Sequence, residues 1–132
     1  MDFFVATEII PKWESENIPD EDSLFFRVHR RWFEPDGTIM PGVFRNQGDG
    51  MSTDWNKYAS PADTLDRARS PSDNAVIRFI VGEIRSQIPT QSVVHTPDIQ
   101  TLNRAHTDVR GPKLAEERLN FLRIYQLEFP LS

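Results

Sequence analysis

Leu24-Phe25-Phe26-Arg27-Val28-His29-Arg30 is the stretch whose reading decides the fold. It is aromatic and β-prone, and its side chains alternate. Leu24, Phe26 and Val28 fall on one face of an extended strand, with Phe25, Arg27 and His29 on the other. Working outward, Glu34-Pro35-Asp36-Gly37 reads as a turn, because Pro presets φ and Gly accepts positive φ. Gly42 to Arg45 predicts a short strand, Asn46 to Gly50 a turn, and Met51 to Trp55 a further strand. Toward the N-terminus, the acidic segment Glu14 to Asp22 reads as a loop, and residues 3–10 as a first strand ended by Pro11.

Ser60-Pro61-Ala62-Asp63 has the chemistry of a helix start: Ser caps, Pro sits at N1, and the acid complements the dipole. This helix is expected to run to about Arg69, where Ser70-Pro71 breaks it. Ala75 to Ile84, rich in Val, Ile and Phe, predicts the longest strand. Shorter strands are expected at Ser92 to His95 and Ala105 to Val109, joined by a loop over 96–104. The last element reads as a helix over 112–126, opened by Gly111-Pro112, with Glu116 and Glu117 early and Arg123 late. Ala115, Leu119 and Leu122, joined by Leu114, Phe121 and Tyr125, give it a broad apolar face.

The totals fit this punctuation. A chain of 132 residues with ten Pro and six Gly suits a single α+β domain with its own core. The expectation is one domain over 1–132, with a mainly antiparallel sheet of about five strands, two helices, and 1–23 as a peripheral segment. There is no cysteine, which excludes disulfides, thiolate metal sites and a cysteine nucleophile. The N-terminus begins with an acid and lacks a basic region, and no apolar run approaches the roughly 20 residues of a membrane helix. A soluble, cytoplasmic protein with no membrane partner is therefore expected. The net charge of −5 argues against a nucleic-acid partner. Yet twelve Arg stand against three Lys. That bias suits paired or anion-facing guanidinia, and a GC-rich genome produces it equally.

Function concentrates in residues 95–111, His-Thr-Pro-Asp-Ile-Gln-Thr-Leu-Asn-Arg-Ala-His-Thr-Asp-Val-Arg-Gly. Two of the chain's three histidines lie here, with Asn103, Asp98 and Asp108. His106 is the candidate acid/base or ligand-contact residue, with His95 and Asn103 orienting it, or Asp108 in that orienting role. Alternatively, the two histidines and Asp98 or Asp108 form a two-His, one-carboxylate metal set, although no strong metal spacing is present. A third reading is structural: His95, Asn103 and His106 tie down a long loop.

Arg27 and His29 share a strand face suited to an anion, or else pair with the acidic 14–22 loop. Ser52, Thr53 and Asp54 are suited to phosphate or ribose hydroxyls, with Trp55 as a stacking wall, or else Ser or Asp closes a turn and Trp55 fills the edge of the core. Ser52 lacks the G-x-S-x-G context of a nucleophile. The expected partner is thus a small anionic ligand, its cofactor class open, or a protein. Phe3 and Phe4 would supply an apolar patch for a homodimer.

Phe44-Arg45, Met51-Ser52-Thr53-Asp54-Trp55, Val81-Gly82-Glu83-Ile84-Arg85, Val94-His95-Thr96-Pro97 and Asn103-Arg104-Ala105-His106 through Gly111 form an ordered set. This set resembles a family of small bacterial proteins that share F-R…S-x-D-W and H-x-P…N-x-A-H…G blocks. The resemblance spans about residues 24–124 and implies one intact domain. It brings no activity with it. A second likeness is to ADP-ribosyltransferase-type NAD-binding folds, which present a basic residue, Ser-Thr and Glu on successive strands. Arg27 or His29, Ser52-Thr53 and Glu83 occur here in that order, and the likeness implies Arg27 at a pyrophosphate. This chain departs from that pattern at Val81, where the family carries an acid, and it shows no aromatic NAD-stacking loop.

Overall fold

The computed structural model describes residues 12–132. The strand expected over 3–10 and the Phe3–Phe4 patch lie outside them. Among the described residues, six strands form one antiparallel sheet, and with three α-helices they make a single α+β domain. In chain order these are β1 (Ser23–His29), β2 (Met51–Trp55), α1 (Pro61–Asp66), β3 (Asn74–Ile80), α2 (Val81–Gln87), β4 (Ser92–His95), β5 (His106–Arg110), α3 (Ala115–Ile124) and β6 (Gln126–Phe129). The sheet order is β4-β5-β2-β1-β3-β6. Among the described residues, no helix is long and apolar enough to cross a membrane.

The alternation of β1 fixes the two faces of the sheet. Leu24 and Val28 are fully buried, and Ala75, Ile77 and Phe79 of β3 lie on the same side. Phe44, Phe79 and Phe121 cluster there with ring centroids 5.3–6.1 Å apart, so α3 covers this face through Phe121. The other face carries Arg27, Ser52, Asp54 and His106, and only α1 and neighbouring loops lie on it. That asymmetry, a fully covered apolar side and a half-covered polar side, is what positions the candidate site.

Local chemistry accounts for several elements. Ser60 caps α1 as expected, its Oγ accepting from the Asp63 N–H at 3.1 Å, and Asp63, expected only to complement the dipole, returns the bond by accepting from the Ser60 N–H through Oδ2 at 2.9 Å. The helix is shorter than expected and ends at Asp66. The turn at Glu34–Gly37 closes through the Gly37 N–H on Glu34 O at 2.9 Å, with Gly37 at φ +88°.

Elsewhere the structure departs from the expectations. The strand expected over Ala75–Ile84 stops at Ile80, and Val81, Gly82, Glu83 and Ile84 open α2 instead. Residues 20–22 cause the break: Asp22 O accepts from the Val81 N–H, and Asp20 O accepts from the Gly82 N–H, each at 2.8 Å. A side chain at Gly82 would sit 3.0–3.1 Å from Asp20, so glycine permits the approach. Pro41–Val43 is a 3-10 turn, not a strand, and it buries Val43. The last helix ends at Ile124, and Gln126–Phe129 forms a sixth strand on β3. Its buried face is Glu117 and Phe121, whereas Leu114 and Leu119, expected in the core, are 68% and 50% exposed. Nor is the 12–22 segment peripheral: Ile18 is buried, and Ile18 O accepts from Arg85.

Lys113, just before α3, is buried, and its Nζ donates to Asn46 Oδ1, Val109 O and Gly111 O at 2.7–3.0 Å. Burial outweighs the nearby Glu117 and Asp108 and pushes its pKa down to about 8, from 10.5. The folded pKa lies below the unfolded one, so between these values the unfolded chain still holds a proton that the folded chain has lost. The Lys113 contribution to stability therefore rises with pH across that window. Urea titrations at pH 7 and pH 10 should show wild type gaining stability relative to Lys113→Met; an unchanged difference would contradict this.

Candidate functional site

Strand pairing brings together residues far apart in sequence. Phe25 is opposite Asp54, and Asp54 is opposite His106, so β1, β2 and β5 present Arg27, Ser52, Asp54 and His106 on one face. They form the floor of a cleft of about 560 Å³. The α1 helix contributes Thr64 and Arg67 to one wall, and the 96–104 loop contributes Asp98, Thr101 and Asn103 to another. His29, Arg31, Trp32 and Arg45 close the far end.

Asp54 is the organising group. Its side chain is 6% exposed, and the carboxylate ties the two walls together. Oδ1 accepts from Asn103 Nδ2 at 2.8 Å, and Oδ2 accepts from Thr64 Oγ1 at 2.7 Å. The Arg67 Nε lies 4.0 Å from Oδ2. Thr64 and Arg67 stand three apart on α1 and its C-cap, hence on one face, which aims both at the carboxylate. Arg27 donates to Thr64 O at 2.8 Å. Surrounding protein removes water from its guanidinium and lowers its pKa, an effect that outweighs the opposing pull of Asp54.

Four guanidinia, those of Arg27, Arg31, Arg45 and Arg67, line the cleft against the carboxylates of Asp54 and Asp98. Arg31 and Arg45 lie over Trp32, 5.7 and 5.3 Å from the ring centroid, which holds two flexible cations at the rim. The cleft is thus cationic in a protein whose net charge is −5. Such a field draws anions into a partly desolvated space, where guanidinium hydrogen bonds are strongest.

His106 begins β5 and is half-buried in the cleft. Its Nδ1 is 3.1 Å from Thr96 O and 2.8 Å from Thr96 Oγ1, and its Nε2 is 3.2 Å from Ser52 Oγ. With the proton on Nδ1 donated to Thr96 O, Nε2 presents a lone pair to the Ser52 hydroxyl and to the cleft. The ring is therefore oriented by Thr96. Neither His95 nor Asn103, both expected in that role, touches it, and Asp108 does not line the cleft. Asp108 is buried and pairs through Oδ2 with Arg110 Nη2 at 3.2 Å.

His95 lies on the opposite side of the sheet. It pairs with Thr107, one residue out of phase with His106, and is 2% exposed. Its ring stacks on Tyr58 at 6.0 Å and meets Trp55 edge-on at 5.0 Å. Nδ1 accepts from the Glu16 N–H at 3.0 Å, so the ring proton is on Nε2 and goes to Arg104 O at 2.7 Å. Both nitrogens are committed to backbone. The two histidines cannot share a metal ion, and among the described residues no group of three His, Asp or Glu is placed to hold one.

The anion-facing pair behaves differently from its expected alternative. Arg27 and His29 both line the cleft, and neither pairs with the 14–22 loop. That loop's acids turn elsewhere: Glu16 accepts from Lys57 and Tyr58, and Asp20 pairs with Arg85. Ser52 and Thr53 both line the cleft, but the Thr53 side chain is buried and its hydroxyl is spent on Thr107 O at 2.9 Å. Trp55 is interior, at 1% exposure, with its indole N–H on Asp22, so it is no stacking wall. Glu83, the acid required by an ADP-ribosyltransferase likeness, belongs to α2 and does not line the cleft.

The chain matches no protein-family model, no curated protein and no solved structure. The site is therefore read from its own chemistry. Thr64, Arg67, Trp32 and Thr96 are the members that sequence reasoning missed. Only the Thr64/Arg67 spacing on a well-capped helix carried a usable signal.

Proposed function

We propose that this protein binds a small anion of the phosphate or carboxylate class in the cleft between α1 and the 96–104 loop. The observation that carries the reading is the convergence of four arginines on one cleft of an acidic chain. Arg27 grips the anion from the floor, Arg67 from the wall, and His106 meets the ligand with a ring nitrogen able to accept or donate a proton. His29 and Ser52 supply further contacts. A cationic cleft in an acidic protein also predicts affinity that falls as salt screens the field.

Calorimetric titration of phosphates, nucleotides, NAD and dicarboxylates at low salt tests the reading. Among the described residues the Arg27 side chain makes one hydrogen bond, to a backbone carbonyl, so Arg27→Gln should leave stability within about 1 kcal/mol of wild type. Losing a charged hydrogen bond of about 1.5–3 kcal/mol should weaken the anion ten-fold or more. Equal affinity in wild type and variant would remove Arg27 from the site. A panel in which nothing binds would reject the reading.

A second reading is a non-enzymatic interaction or structural module, in which the 95–108 block only stabilises the fold. It is favoured by His95 and Asn103, whose polar groups are all engaged within the protein. His106→Ala separates the two readings, since an unchanged stability with lost ligand binding supports a site. An NAD-binding protein of the ADP-ribosyltransferase type is the weakest reading, because its acid would have to come from a residue other than Glu83.

A further inference from the structure

The sheet is unevenly stitched. Seven residue pairs join β1 to β3 and four join β2 to β5, but only two, Leu24 with Trp55 and Phe25 with Asp54, join β1 to β2. By the antiparallel alternation, the next hydrogen-bonded pair would be Arg27 with Ser52, and it is missing. Beyond Phe25 the two strands part like a fork, and the cleft lies over the opening.

The consequence is visible in what lines the cleft. Arg27 and Ser52 belong to the polar face, yet Phe26, Val43 and Met51, which belong to the apolar interior, line the same space. Across an unbroken sheet, one cavity would not reach both faces. The fork therefore leads from a guanidinium-lined mouth down to hydrocarbon. A volume of about 560 Å³ is in the range that holds drug-sized ligands, and an inorganic ion would leave most of it filled with water against apolar walls.

Resting on the anion-binding reading above, we propose that the ligand is an organic anion with an apolar body, its charged head at Arg27 and Arg67 and its aryl or acyl body in the fork against Phe26, Val43 and Met51. The head also meets the backbone of Arg27, which has no ladder partner in β2. Ser52 and His106 flank the junction between head and body, where a hydroxyl and a ring nitrogen select for polarity at that point.

Methyl- and amide-detected NMR titration with inorganic phosphate, phenyl phosphate, hexanoate and the neutral analogues phenol and hexanol tests this, on wild type and on Arg27→Gln. Burying the body should make phenyl phosphate or hexanoate bind about ten-fold or more tightly than inorganic phosphate. The Val43 and Met51 methyl signals should shift with the organic anions and not with phosphate, and Arg27→Gln should abolish both effects. The stronger of the two organic anions identifies the body as aryl or acyl. Equal affinity for inorganic and organic phosphate, with Val43 and Met51 unmoved, would overturn the fork as a ligand site while leaving anion binding intact. Phenol or hexanol binding as tightly as its charged counterpart would overturn the charged head. No response to any anion at about 10 mM, where even millimolar affinities register, would overturn this inference and the anion-binding reading together.

Discussion

His95→Ala is expected to destabilise the protein by about 3–5 kcal/mol, read as a lowered urea midpoint with unchanged slope. The ring is buried between Trp55 and Tyr58, so its removal leaves a cavity with aromatic walls. It also leaves the Glu16 N–H and Arg104 O, both part-buried, without their partner. The Glu16 bond matters beyond its own energy. With the Ser15 hydroxyl on His95 O, it fastens the 12–22 segment to β4, and Asp20 and Asp22 of that segment cap the start of α2. His106→Ala removes a half-buried ring with one side-chain partner each from Thr96 and Ser52, and should cost no more than about 1 kcal/mol. Equal losses for the two substitutions would contradict the assignment of His95 to the fold and His106 to the cleft.

Asp54→Ala should cost about 3–4 kcal/mol and also impair anion binding. Its carboxylate is the shared acceptor for Asn103 on one wall and Thr64 on the other, and all three groups are buried. Removing it strands an amide and a hydroxyl. It also leaves the Arg27 and Arg67 guanidinia facing each other without the charge between them, and breaking a partly buried ionic cluster is typically costlier than losing a surface pair. Asp54→Asn keeps the shape and part of the hydrogen bonding, so it should recover much of the stability. A fully stable Asp54→Ala variant would show that the walls hold their places without the carboxylate.

The fold was legible where local chemistry and tertiary context agree. The alternation over Leu24–His29 gave β1 and both of its faces, and Ser60-Pro61 with Asp63 marked a helix start to the residue. The expectation failed at Val81 because a β-branched, apolar run is equally compatible with a buried strand and a short buried helix. The spacing of Val81, Ile84 and Ile88, all fully or almost fully buried, is helical in retrospect. What turns the chain, though, is capture of two amides by Asp20 and Asp22, sixty residues away in sequence. β6 was hidden for a related reason. Four residues with both Leu127 and Phe129 exposed have little pattern of their own, and their strand character comes from pairing with β3.

The site was half legible. The density of polar residues over 95–108 drew attention to a segment that supplies Asp98, Thr101, Asn103 and His106 to the cleft, and Arg27, His29, Ser52 and Asp54 line the same space. What the sequence did not contain was parity. His95 and His106 sit on strands joined by a ten-residue loop, and nothing in that loop states whether the second strand resumes in phase with the first. Pairing of His95 with Thr107 settles it, placing one histidine in the core and the other in the cleft. Arg67 comes from a segment with no distinguishing motif and is recognised only by where it converges with the others.

The two-pair seam between β1 and β2 also has a mechanical meaning. It divides the sheet into two plates of three strands, β4-β5-β2 and β1-β3-β6, each laced along its length and joined to the other by a short hinge. Breathing motions of the sheet will concentrate at that hinge, because it is the line with the fewest cross-strand bonds to break. A molecule lodged in the opening touches both plates at once. It therefore acts as a wedge that sets their angle, and occupancy of the cleft would be felt as stiffness at the outer strands, well away from anything the ligand touches.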